Sequence, residues 1–209
     1  MADWTTISSL ATAGGTLVLA TATYSSTRSA NRAARIAERA MLANLRPVLL
    51  SSRPGDPPEK VMWADQHHAR VAGGRAVVDV VDDTIYLAAN IHNAGNGIAV
   101  IHGWHLHPGW DPAVPPAEAE TFRMQGRDLY IPSGENGFWQ GAVREADDPD
   151  RAAISAAIVA RDRMTLEILY GDHEGGQRTI TRFGLIPVED DAWMCTTSRH
   201  WNLDRANPR

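Results

Sequence analysis

A chain of 209 residues with 44% hydrophobic and 22% charged side chains has the balance of one folded domain plus an appendage, which excludes a disordered chain. The net charge of −5 excludes a nucleic-acid binder as a whole, because phosphate recognition rests on clustered positive charge. A single cysteine, Cys195, excludes an internal disulfide and a Cys-based zinc site, and it suits a reducing compartment.

Residues 4–27 carry no charge, and as a helix they would run roughly 36 Å against a hydrocarbon core of about 30 Å. Trp4 and Tyr24 sit near the two ends, where amphipathic rings favour headgroups. The spacing predicts a transmembrane helix, although only Ile7, Leu10, Leu17, Val18 and Leu19 are strongly apolar. Ala20-Thr21-Ala22 keeps a cleaved signal peptide open, and a soluble interfacial helix is the other alternative. Ser8, Ala11, Thr12 and Gly15 share one face, which would allow a homo-oligomer through this helix.

Helical composition continues over Ser25–Leu45 until Pro47, so a basic juxtamembrane helix is expected over 25–46. Arg28, Arg32, Arg35, Arg39 and Arg46 fall within about 60° of one another around such a helix. Positive residues after the span place the N-terminus outside and the rest in the cytoplasm, at the inner membrane. The same stripe would meet anionic lipid headgroups of the inner leaflet. The expected domains are therefore an N-terminal helix over 1–46 and a β domain over 47–209.

From Pro47 the pattern changes to short β-branched and aromatic runs broken by Gly, Pro, Asp and Asn. Strands are expected at Pro47–Ser51, Val61–Trp63, Ala76–Val81, Thr84–His92, Ile98–His107, Thr121–Met124, Leu129–Ile131, Phe138–Val143, Thr165–Tyr170, Arg178–Ile186 and Trp193–Thr197. Ala152–Arg161 reads as a short helix or another strand. Asn93-Ala94-Gly95-Asn96-Gly97 offers residues tolerant of positive φ for a tight turn, and 171–176 does the same. Such punctuation is that of an antiparallel immunoglobulin-like β-sandwich, in a mainly β protein.

The arginine-bearing helix ending in RPVLL, the strand ending in NAGNG and the late YGDHEGGQRTITRF hairpin resemble uncharacterised bacterial single-pass membrane proteins with a small cytoplasmic β-sandwich. The resemblance is one of layout. It implies an architecture and no activity.

Six tryptophans lie in or beside the β region, and Trp63, Trp104, Trp139, Trp193 and Trp201 are expected in the core. Trp110 sits among prolines in a surface loop and is the candidate for partner contact. His105 and His107 would share one face of a strand and could share a divalent ion, with His92 and His102 approaching across a hairpin. The plainer reading places both as outward side chains alternating with core residues Trp104 and Leu106. Asp172, His173 and Glu174 read as a polar hairpin tip in place of a calcium loop. Arg178, Arg182 and Arg199 are expected to pair with the acidic loop Glu189-Asp190-Asp191. No nucleophile elbow, P-loop or zinc-protease motif is present, so no catalytic residue and no cofactor are expected. The expected function is a membrane-anchored, non-enzymatic binding module for a protein partner or ligand. The alternatives are a metal-dependent enzyme or sensor at His105/His107, and a structural subunit of a membrane complex.

Overall fold

A 41-residue helix, α1 (Trp4–Asn44), precedes all the strands. The computed structural model describes residues 3–189 and 191–207, without the side chains of residues 4–7 and 11. The chain divides into two compact units, Met1–Ala43 and Asn44–Arg209.

Every described residue of α1 is exposed, including Leu10, Leu17, Val18, Leu19 and Tyr24. Its hydroxyls turn back on the helix: Thr12 Oγ1 donates to the Ser8 carbonyl at 2.9 Å, and Thr16 and Thr23 do the same one turn back at 2.8 Å. Such back-bonding lowers the cost of a hydroxyl away from water but does not make the surface apolar. Among the described residues no helix is long and apolar enough to cross a membrane. Length is ample. What the expected span over 4–27 lacks is apolarity, because Thr, Ser, Gly and Ala outnumber its few Leu, Ile and Val residues. Arg28, Arg32, Arg35 and Arg39 stand exposed along the helix, and the side chain of Trp4 lies outside the described ones. Arg46 belongs to the second unit, where its guanidinium donates to the Asn202 side-chain oxygen.

Among the described residues that second unit has eleven strands, a short α-helix and one 3-10 turn at Ala119–Thr121. The strands are β1 (Leu49–Ser51), β2 (Glu59–Met62), β3 (His68–Val71), β4 (Arg75–Val81), β5 (Thr84–Asn93), β6 (Ala99–Pro108), β7 (Arg123–Ile131) and β8 (Asn136–Val143). After α2 (Arg151–Ala160) come β9 (Met164–Asp172), β10 (Thr179–Pro187) and β11 (Trp193–Asn202). Nine strands form one antiparallel sheet in the order β7-β6-β9-β10-β11-β4-β5-β8, with β1 in line with β4 along the same edge of β5.

This is one sheet curled into a half-barrel, where the sequence pattern pointed to an immunoglobulin-like pair of sheets. The difference comes from bulges, which alternation of residue types does not reveal. Register shifts leave His102 of β6 and Ser198 of β11 as extra residues, and each adds local twist and bend. Curling turns one face inward. Leu87, Ile101, Trp104, Trp139, Leu166, Ile168 and Phe183 meet there in one core, and α2 adds Ile154 and Ala157. Each such large apolar side chain contributes about 1.5–3 kcal/mol when fully withdrawn from water. The α2 helix ends at Arg161, whose φ of 55° is left-handed and turns the following Asp162 amide back onto the Ala157 carbonyl at 2.8 Å.

Two pieces cover the outer face. The β2–β3 hairpin lays Val61, Trp63 and Val71 on Tyr86 and Ala88. The β6–β7 connection, residues 109–122, crosses β9, β10 and β11, placing Phe122 with Leu169, Ile180 and Trp201. Because of that strap β9 is buried on both faces along its whole length.

The strap is fastened by a buried ion pair. Arg182 and Glu167, each 2% exposed or less, meet at 2.6–2.8 Å. The same guanidinium donates to the carbonyls of Asp111, Val114 and Pro115, and Glu167 Oε2 accepts the Ala117 amide at 2.9 Å. Arg182 therefore does not pair with the acidic loop at 189–191, of which Asp190 lies outside the described residues. Arg178 pairs instead with Asp204 at 2.8 Å, and Arg199 stacks over Trp201 at 5.3 Å.

The Asn93–Gly97 turn is tight for a reason other than positive φ, which none of its residues has. It receives residues 45–48. Asn93 Oδ1 accepts the Val48 amide at 3.1 Å, and a Cβ at Gly97 would stand 1.7 Å from the Leu45 carbonyl oxygen.

Candidate ligand cleft at the seam

Curling brings the two ends of the sheet, β7 and β8, toward each other. Each keeps a single strand partner, β6 for β7 and β5 for β8. Side chains bridge the seam: Gln125 Nε2 donates to the Gln140 carbonyl at 3.0 Å, and Arg127 Nη2 donates to Gln140 Oε1 at 3.1 Å. These residues project because β7 bulges. Leu129 pairs with Ile101 and Met124 with Gly103, so residues 125–128 leave the ladder.

Between β7, β8 and the end of β2 lies a cleft of about 490 Å³ lined by Met62, Trp63, Trp104, Arg123, Arg127 and Arg144, among others. Trp104 packs edge-on against Trp139 at 5.4 Å and 67°. Gly141 makes this approach possible, since a Cβ there would fall 2.8–2.9 Å from the two indoles. Its carbonyl accepts the Trp63 indole N–H at 2.9 Å.

Each of the three guanidiniums rests near an aromatic ring. Arg123 lies 5.3 Å from Trp104, Arg127 5.9 Å from Phe138 and Arg144 5.7 Å from Tyr86. Stacking of this kind preorganises an arginine and leaves its edge free for an anion. The three differ in their counter-charges. Arg123 is bound by Asp148 and Asp150, and the Asp148 carboxylate above all drives its pKa up. Arg144 meets Asp65 at 2.9 Å. The Tyr86 hydroxyl first, with Arg144 behind it, holds the Asp65 carboxyl down at about 2, well below its usual 3.8. Arg127 has no carboxylate partner among the described residues and bonds only the Gln140 amide oxygen. Two further polar atoms here, Gln125 Oε1 and Trp139 Nε1, are buried without a hydrogen-bond partner among the described residues.

The residues singled out from the sequence lie elsewhere. His105 and His107 do share the outer face of β6, with rings 5.7 Å apart. His105 is paired in register with Glu167, but that carboxylate is taken by Arg182 and the Ala117 amide. Burial first, and then His107, lowers the His105 pKa below 6.5. His92 bonds Asn136 at 2.9 Å, and His102 occupies the bulge of β6 beside Gly171. Among the described residues no group of three or more His, Cys, Asp or Glu could hold a metal ion. Trp110 is 36% exposed, and the rest of its ring covers Gly184 beneath the strap. Asp172 is buried and its carboxylate closes its own hairpin, accepting the Glu174 and Gly176 amides at 3.0 and 2.9 Å. Burial pushes the Cys195 thiol up to about 12, which leaves no thiolate for chemistry.

Sequence reading missed Arg123, Gln125, Arg127, Gln140 and Arg144. The one usable signal is the polar break Gln125-Gly126-Arg127-Asp128, which lies between the strands expected at 121–124 and 129–131. No family model, no curated protein and no solved structure matches this chain.

Proposed function

We propose that the β unit is a non-enzymatic binding module that takes an anionic ligand in the seam cleft, and that α1 holds it at an anionic membrane surface. The uncompensated guanidinium of Arg127 carries the first half. A charge-assisted hydrogen bond to an anion is about twice as strong as a neutral one, and this arginine is already oriented by Phe138 and Gln140. A reaction is not part of the proposal, because the cleft offers fixed donors and no nucleophile beside a base. The second half rests on Arg28, Arg32, Arg35 and Arg39, exposed along one helix, each supplying about 1 kcal/mol of attraction near an anionic leaflet.

Titration of the β unit with acetate and inorganic phosphate, followed by amide NMR, tests the cleft. Shifts confined to residues 123–127 and 140–144, and lost in Arg127→Gln, are expected. Shifts spread over the surface, or unchanged in the variant, refute the reading. Membrane attachment is tested by fractionating cells expressing the full chain. Release by high salt marks a headgroup-bound helix, retention in alkaline carbonate an inserted one, and solubility without either treatment ends the membrane reading.

A further inference from the structure

Resting on the reading of the seam as an anion cleft, we infer that its ligand is the carboxylate end of a peptide chain, bound with its terminal amide N–H toward Gln125 and its carboxylate on Arg127.

Four features of the cleft bear on the choice between this chemistry and a bare anion. Arg127 presents a planar fork that matches a carboxylate in two parallel hydrogen bonds. Phosphate or acetate would satisfy it equally, so the guanidinium alone does not choose. Gln125 Oε1 does. It is a buried acceptor without a partner, and its own amide nitrogen is fixed on the Gln140 carbonyl, so a flipped amide would lose that bond. An orphaned buried acceptor costs free energy until a donor arrives. A carboxylate or a phosphomonoester dianion brings none, whereas the last residue of a peptide carries an N–H on the carbon next to its carboxylate.

The third feature is main chain. Residues 125–128 stand outside the β6 ladder, and β8 has β5 as its only strand partner. On the β8 side the Gln140 and Gly141 carbonyls are taken by Gln125 Nε2 and the Trp63 indole, so the backbone open to an incoming chain end is that of residues 125–128. The fourth is the rim. Met62 and Met124 are 58% and 74% exposed at the mouth. Flexible, polarisable thioethers suit a last side chain of variable shape. At about 490 Å³ the cleft admits a chain end and not a folded surface.

The test presents the full chain with two pools of immobilised octapeptides, randomised in their last four positions, one with free carboxylates and one amidated. Randomising removes dependence on any single side chain. Retention on the free-carboxylate pool roughly ten- to hundredfold above the amidated pool is expected, the range of one lost charged hydrogen bond. Arg127→Gln should abolish the preference. Gln125→Met should weaken the selected peptides while leaving acetate shifts in the cleft unchanged, a split that loss of fold would not produce. Equal retention on both pools overturns the assignment. So does no retention on either, and acetate or phosphate then separates two cases: if either still shifts residues 123–127, the anion cleft stands without the peptide. If neither does, both readings fall together.

Discussion

Replacing Arg182 with methionine tests whether the strap over β9–β11 is fastened from within. The guanidinium is 2% exposed and serves Glu167 together with three strap carbonyls. Arg182→Met leaves the Glu167 carboxylate buried beside only the Ala117 amide. Breaking a buried pair from one side costs about 3–5 kcal/mol, and each carbonyl that stays buried without a donor adds about 1 kcal/mol or more. Against a total stability of about 5–15 kcal/mol, that is a large fraction. The double variant Glu167→Leu/Arg182→Met removes both charges, and apolar replacements of a buried pair are often neutral. It should therefore be more stable than Arg182→Met alone, although the strap carbonyls still lack their donor. Urea unfolding followed by tryptophan fluorescence measures both. At roughly 2–4 °C per kcal/mol for a unit of this size, the single variant should melt on the order of 10 °C lower. A loss below about 1 kcal/mol for the single variant would refute the reasoning, since it would mean that water reaches the pair and the strap does not seal it.

Gly97→Ala drives a Cβ into the Leu45 carbonyl, which backbone cannot yield cheaply, so a loss of about 1–3 kcal/mol is expected in urea unfolding. Gly126→Ala is its control, with open space around the new methyl and a change of about 0.5 kcal/mol or less in the stabilising direction. Burial lowers the pKa of His105, so below 6.5 the unfolded chain binds more protons than the folded one and stability falls as pH falls. His102 shifts the same way for the same cause, so His105→Phe should reduce that acid slope without abolishing it, as read from unfolding at pH 5 to 7. Cys195 should resist a thiol reagent in the folded chain and react on unfolding, and rapid native labelling would contradict its burial.

Strands with β-branched runs were legible: β5, β6, β9, β10 and β11 appear where Ile, Val, Thr and Tyr alternate or cluster. The β3 strand was not, because His68-Ala69-Arg70-Val71 buries only Val71 fully and part of Ala69, and pairs with β2 alone. The expected strands at 121–124 and 129–131 are one strand interrupted by its own bulge. Curl is illegible for the same reason, since a bulge is a mismatch between two strands and not a property of either. The cleft was hidden by sequence distance. Arg123 finds Trp104, Arg144 finds Tyr86 and Asp65, and Arg127 finds Phe138 and Gln140 only after the sheet closes. His105 and His107 drew attention through residue type, yet what decides a site is whether neighbours have already consumed its partners. Glu167, the carboxylate they would need, had been taken.

The hydrogen bond between Arg46 and Asn202 has a topological consequence. The β unit receives its chain at residue 46 and ends its last strand at residue 202 at one spot on its surface, so its two ends could be spliced through a linker that follows the Arg178–Asp204 pair. A new opening placed at the exposed Glu174–Gly175 tip would cut no ladder. A unit of this kind can be circularly permuted, or set as an insert into a loop of a host protein, without its strands having to be rethreaded.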